Sequence, residues 1–189
     1  AAFYYQVRQP LEAVKYANRA LKFFEPETGY ELNIAACNNI LGLTCTSLKQ
    51  YEYAEEYFIK ALDIVTKKHN TMLGLKIRHN LGFLYAEQDL SEAAIRNLTT
   101  AIDTPEKSYK AIFLIARENY KLGNTEESES IITEGIEYFE QQGLLGFVHD
   151  YSKQLALKFY SSNQQDKANQ YFFKSHEAEE KLRKKEALK

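Results

Sequence analysis

The sequence predicts an all-α protein made of antiparallel helix hairpins stacked in series, and three observations lead there. Apolar residues recur at helical spacing almost throughout, with no alternating β-branched stretch that would mark a strand. Gly and Pro fall between the apolar runs rather than inside them. Small residues return at a fixed phase along the whole chain. The 189 residues are enough for one core or several stacked units, and 44% hydrophobic with 26% charged residues is the composition of a folded chain. With 24 Lys+Arg against 26 Asp+Glu the formal charge is −2, so no global positive field recruits nucleic acid or anionic lipid. No apolar run approaches the roughly 20 residues of a membrane span, and no signal peptide opens the chain. Cys37 and Cys45 share one predicted helix and lack CxxC spacing, which disfavours a disulfide or a zinc site. A reduced, cytoplasmic setting is expected.

The elements follow in order. Ala1, Tyr4, Ala13, Ala17 and Ala20 form the last part of one hairpin. The first full copy reads Leu41-Gly42-x-x-Cys45, Tyr51, Ala54, Phe58, Ala61. The second reads Leu81-Gly82-x-x-Tyr85, Ala94, Leu98, Ala101. A third, weaker copy has Ile115-Ala116, Gly123, Ser128, Ile132 and Gly135, and a fourth has Leu155-Ala156-x-x-Phe159, Ala168, Phe172 and Ser175. Small residues thus mark the first helices at 1, 42, 82, 116 and 156 and the second helices at 20, 61, 101, 135 and 175. Holding one phase at two independent positions is the tetratricopeptide pattern, in which small residues lie where the two helices touch. The expected architecture is a right-handed superhelix of such hairpins over residues 1–183. Its repeats cover 1–27 (partial), 31–69, 71–103, 105–141 and 144–183, ahead of a charged tail at 184–189.

Local signals support the boundaries. Thr104-Pro105-Glu106 reads as a helix start, with Thr at the cap and Pro at the first helical position. Gly123 and Gly143 stand where a helix end wants a left-handed residue. Asn124-Thr125-Glu126-Glu127 opens the next helix with carboxylates near its positive end. Ala1 falls on the small-residue position of a broken unit, so a piece of a longer protein is expected.

Stacking buries an apolar face that one hairpin cannot bury alone. Tyr5, Phe24, Tyr57, Phe58, Phe139, Phe159 and Phe172 are expected to fill that interface. The first helix of each repeat then lines a concave wall. Asn39, Ile40, Leu43, Thr46 and Ser47 come from the first repeat, and Lys76, His79, Asn80, Phe83, Ala86 and Glu87 from the second. Lys110, Phe113, Arg117, Tyr120 and Lys121 follow, then Asp150, Lys153, Gln154, Leu157 and Tyr160. An Asn amide carries a donor and an acceptor, so it pairs with a peptide backbone as a strand would. Asn80 is the leading candidate, with Lys76, Phe83, Glu87, Asn39, Ser47, Arg117 and Tyr120 around it.

Catalytic and metal-binding patterns are thin. His69, His79, His149 and His176 show no ligand spacing, and adjacent helical residues such as His149-Asp150 point about 100° apart. There is no GxSxG, P-loop or GxGxxG. No cofactor, metal or catalytic residue is expected in this stretch.

Longer stretches carry a resemblance. Phe3-Tyr4-Tyr5 with Gln9 and Tyr16-Ala17-Asn18-Arg19-Ala20-Leu21 resembles the Rap family of bacterial regulators. So do Leu48-Lys49-Gln50-Tyr51-Glu52-Tyr53-Ala54, His79-Asn80-Leu81-Gly82 and Tyr120-Lys121-Leu122-Gly123. Rap proteins are response-regulator aspartate phosphatases or response-regulator binders whose repeats take short secreted Phr peptides. The resemblance implies a quorum-sensing role, with a signalling peptide and a response regulator as partners and no nucleic-acid or membrane contact by this stretch. It implies that Asn80, the Asn of the Asn-x-Gly step, meets the peptide backbone. Ser47 stands where the family often has an acidic residue for a basic peptide side chain, a departure from its pattern. The family's phosphatase bundle has no match here, so this stretch alone is expected to be inactive. Two other readings fit a repeat array: a general scaffold or co-chaperone, and the repeat part of a peptide-gated DNA-binding regulator.

Overall fold

The computed structural model describes residues 9–101 and 105–187, and for 105–110 the backbone alone. Expectations resting on Ala1, Phe3, Tyr4, Tyr5 and Thr104, or on the side chain of Lys110, lie outside the described residues. Among the described residues the chain is all-helical: α1 (Pro10–Phe24), α2 (Glu31–Ser47), α3 (Tyr51–Lys67), α4 (Thr71–Glu87), α5 (Ser91–Ala101), α6 (Pro105–Lys121), α7 (Thr125–Gln141), α8 (Leu145–Ser161) and α9 (Gln165–Ala187). The all-α tetratricopeptide fold class expected from the spacing is the one observed. The chain forms two compact units, one ending at Glu118 and the other starting at Asn119.

In the first unit α1 packs on α2, α2 on α3, α3 on α4 and α4 on α5. The main core joins α2, α3 and α4 through Ala35, Cys45, Phe58, Val65, Ile77, Leu81 and Leu84. Burying a side chain such as Phe58 contributes about 1.5–3 kcal/mol, and Phe58 is wholly enclosed. A second cluster, Ala17, Leu21, Cys37 and Leu41, joins α1 to α2, with Phe24 and Tyr57 against it.

Close helix approach explains the recurring small residue. A Cβ placed on Gly42 would lie 2.6 Å from the Phe58 ring, and one on Gly82 would lie 2.5 Å from Leu98 Cγ. Both contacts fall inside van der Waals distance, so glycine lets α3 and α5 seat against the first helices. Ala116 and Ala156 hold the same position in the later repeats and are fully buried.

The second unit packs α7 on α8 and α8 on α9. Ile136, Phe139, Val148, Leu155 and Phe159 are buried. Phe139 stacks on Tyr151 with centroids 6.0 Å apart, and Phe159 stacks on Tyr171 at 5.7 Å. Phe172 departs from the packing role expected of it, being 37% exposed. The buried stripe of α9 runs through Ala168, Ser175 and Ala178, and Phe172 sits at its edge.

Six helices end in one way. The backbone N–H of Gln50, Asn70, Leu90, Asn124, Leu144 and Gln164 donates to the carbonyl five residues back, at 2.8 to 2.9 Å. That is the long bond of a Schellman cap, which needs a left-handed residue one position earlier. Gly123 and Gly143 fill it with φ of 83° and 67°, as expected from the sequence. Lys49, His69, Asp89 and Asn163 adopt the same conformation without being glycine.

Candidate functional site

The first unit brings the two amides of the predicted wall together. Asn39 lies on α2 and Asn80 on α4, and Asn80 Nδ2 donates to Asn39 Oδ1 at 2.8 Å. Both are buried, at 5% and 9% exposure. Each side chain has one group in this bond, so Asn39 keeps its Nδ2 donor and Asn80 keeps its Oδ1 acceptor. A donor and an acceptor side by side are the complement of a peptide's C=O and N–H. Neither of these two atoms is among those fully enclosed without a partner, so both stay within reach of an incoming group.

Neighbouring polar groups of α2 are satisfied within their own helix. Asn38 Nδ2 donates to the Ile34 carbonyl at 3.0 Å, and Thr44 Oγ1 to Ile40 at 2.7 Å. Thr46, expected on the wall, is buried instead, and its hydroxyl donates to the Gly42 carbonyl at 2.8 Å. Ala86 is likewise buried, at 3% exposure. Ser47 is exposed, and its Oγ donates to the Thr44 carbonyl at 2.7 Å.

Around Asn80 the exposed side chains of α4 form a mixed stripe. Lys76 lies one turn before it, Phe83 one turn after at 38% exposure, and Glu87 one turn further. The spacings of four, three and four keep these residues on one helix face. Behind that face Tyr85 donates to Glu55 Oε1 of α3 at 2.5 Å. Burial, then the Glu55 carboxylate, pushes the Tyr85 phenol up to about 12.

Arg117 is held from behind. Its Nε donates to Glu118 Oε1 at 2.8 Å, while the other carboxylate oxygen accepts from Ser91 Oγ at 2.7 Å. Glu118 is fully enclosed, whereas the Arg117 side chain is 45% exposed. Sequence reasoning passed over Glu118 because, beside an exposed Arg, it reads as half of a surface pair. What encloses it is Ser91 of the preceding hairpin, a contact that nothing in the local spacing announces.

In the second unit Tyr120 is half exposed, and the Lys158 ammonium lies 4.2 Å from its ring centroid. Lys158 Nζ is buried without a hydrogen-bond acceptor. Burial pulls it below the ordinary lysine range, against the opposing pull of Glu129. His149, which makes no dyad with Asp150, sits 3.1 Å from both Ser175 Oγ and the Ser175 carbonyl. Among the described residues there is no cluster of ligands for a metal ion. No described helix is long and apolar enough to cross a membrane. Cys37 and Cys45 are buried and unpaired, and burial pushes both thiols up, away from reactivity.

Comparison with known proteins agrees with this architecture. Residues 33–107 match the family model of the tetratricopeptide repeat. The regulatory protein RapG of Bacillus subtilis (strain 168) is 27% identical over 132 residues, covering 67% of this chain and 36% of RapG. The response regulator aspartate phosphatase I of the same organism is 24% identical over 226 residues, covering 98% of this chain and 58% of its own length. The chain therefore spans about a third to a little over a half of these relatives. Among solved structures, the Rap conjugation gene regulator of plasmid pLS20 in complex with the Phr* peptide has a TM-score of 0.61 and 17% identity. It covers 96% of this chain and 60% of that one, a likeness of fold.

Proposed function

Because the chain is a tetratricopeptide-repeat relative of the Bacillus Rap proteins, we propose that it is the peptide-binding part of a Rap-like regulator. Its ligand is a short extended signalling peptide of the Phr type, lying along the first helices of the repeats. One observation carries this reading: the buried Asn39–Asn80 bond, which leaves a donor and an acceptor matched to a peptide group. Backbone recognition of this kind gives affinity that does not depend on the peptide's side chains. Lys76, Phe83, Glu87 and Ser47 then select among sequences, with Arg117 of the same unit beside them in the reading.

A ligand that touches α2 and α4 at once stabilises the arrangement in which their amides meet. It thereby shifts the population of any output that depends on that arrangement. In the whole protein that output is control of a response regulator. Calorimetry of this chain against a synthetic pool of short linear peptides tests the reading, with Asn80→Ala as the paired variant. Binding that weakens about tenfold or more with the variant supports it. Binding of equal strength to both proteins would remove Asn80 from the site, and no binding by either would overturn the function itself.

A further inference from the structure

Charges on the first unit are not neutralised evenly. On the second helix α3, Lys60 pairs with Glu56 and Lys67 with Asp63, each one turn away. Lys68, just after it, pairs with Glu31 at 2.6 Å. On the first helix α4, Lys76 has no ion pair among the described residues, although it stands one turn from Asn80. Arg19, Lys22, Lys49, Arg78 and Arg96 likewise have no ion pair among the described residues, and Arg117, on the first helix α6, is set apart from all of these by its anchor. Its Nε is occupied by Glu118, while its two Nη groups have no acceptor among the described residues and its side chain is 45% exposed.

That arrangement preorganises the guanidinium. An arginine side chain ordinarily loses much rotamer freedom on binding, and an anchored one loses less. Glu118 does not cancel it, because the carboxylate is also served from the other side. Ser91 is the first residue of α5, donates to Glu118 Oε2 at 2.7 Å, and brings the positive end of that helix with it. The guanidinium therefore keeps an end-on pair of Nη donors whose spacing fits the two oxygens of a carboxylate.

We propose that Arg117 is the specificity residue for a carboxylate of the bound peptide, fixed in place for that task by the buried Glu118–Ser91 pair. The inference rests on the peptide-binding reading above and adds the ligand's charge to it. Lys76 contributes a second positive charge on the same unit. The carboxylate belongs either to an acidic side chain or to the free C-terminus of the peptide.

Three synthetic pools of short peptides, passed over the immobilised chain and read by mass spectrometry, separate these sources. The first pool has free C-termini and no Asp or Glu, the second has amidated C-termini with Asp and Glu, and the third has neither. Retention of the first or second pool about tenfold or more above the third is expected. That preference disappears in Arg117→Gln and is reduced in Arg117→Lys, which keeps the charge but loses the fork. Asn80→Ala weakens every pool alike and leaves the preference intact. Circular dichroism of each variant checks that the helices are retained, because Arg117→Gln also takes the charge partner from the enclosed Glu118 carboxylate while Arg117→Lys keeps a positive charge there. Equal retention of all three pools by the unaltered chain, or a preference that survives Arg117→Gln, overturns the assignment while sparing peptide binding. Retention of no pool overturns both.

Discussion

The first and second helices of the hairpins in the first unit are built on different terms. α3 buries Ala54, Phe58, Ala61 and Val65, and α5 buries Ala94, Leu98 and Ala101 beside Ser91. Each is a one-faced helix, apolar toward its partner and polar toward water. α2 buries Asn38, Asn39, Thr44 and Thr46 among its apolar residues, and α4 buries Asn80. These helices have neighbours on several sides, so their polar groups are enclosed and have to be satisfied. Most turn back to a carbonyl one turn earlier on their own helix. The Asn39–Asn80 bond instead crosses from α2 to α4. Both kinds of helix feed the main core, but the amide pair with hydrogen-bonding capacity to spare lies on the first helices.

Substitutions break this contrast in a graded order. Phe58→Ala empties the centre of the main core and should destabilise the first unit by about 3–5 kcal/mol, read as a lower denaturant midpoint. Gly82→Ala is next. Its Cβ would press on Leu98 Cγ at 2.5 Å and on the Ala94 carbonyl at 3.2 Å. Overpacking of that kind costs about 1–3 kcal/mol, of which helix propensity returns about 1 kcal/mol. Asn80→Ala leaves Asn39 Oδ1 buried without its donor, a loss of about 1–3 kcal/mol in chemical denaturation. Its larger effect is expected on the ligand, in contrast to Phe58→Ala, which acts through the fold.

Tyr85→Phe has the smallest effect, about 1 kcal/mol for one hydrogen bond, and it carries a pH signature. The phenol is pushed from its ordinary value near 10 to about 12 in the folded chain. The folded state thus holds this proton more tightly than the unfolded state. The resulting stabilisation is fully present below pH 10 and is lost as pH rises through about 12. Thermal melts across that window should fall more steeply for the natural chain than for Tyr85→Phe. Parallel curves would detach the titration from the Tyr85–Glu55 bond.

Much of the fold was legible because the hairpin leaves a steric trace in the sequence. Gly42 and Gly82 recur because Phe58 and Leu98 occupy the space a Cβ would need. Gly123 and Gly143 announce their caps, but Lys49, His69, Asp89 and Asn163 take the same left-handed turn without the residue that signals it. The site was legible in part. Asn39 and Asn80 were both on the predicted wall, yet Asn39 stands three residues before Gly42 and Asn80 two before Gly82. Repeat arithmetic therefore puts them one position out of phase, and only the packing of α2 on α4 makes them partners. Glu118 was hidden for a similar reason, since its burial depends on α5 presenting Ser91 to it. Phe172 shows the converse, an aromatic at a packing position left at the edge of its helix's buried stripe.

In the proposed role, the paired amides of α2 and α4 take hold of a peptide backbone. Isotope-edited NMR of the side-chain amides, with peptides selected from the synthetic pool, tests it most directly. The Asn39 and Asn80 amide signals are expected to shift together on saturation, and Asn39→Ala and Asn80→Ala each to abolish the shift of the other along with most of the affinity. Saturating peptide binding that leaves both amide signals unmoved would contradict it.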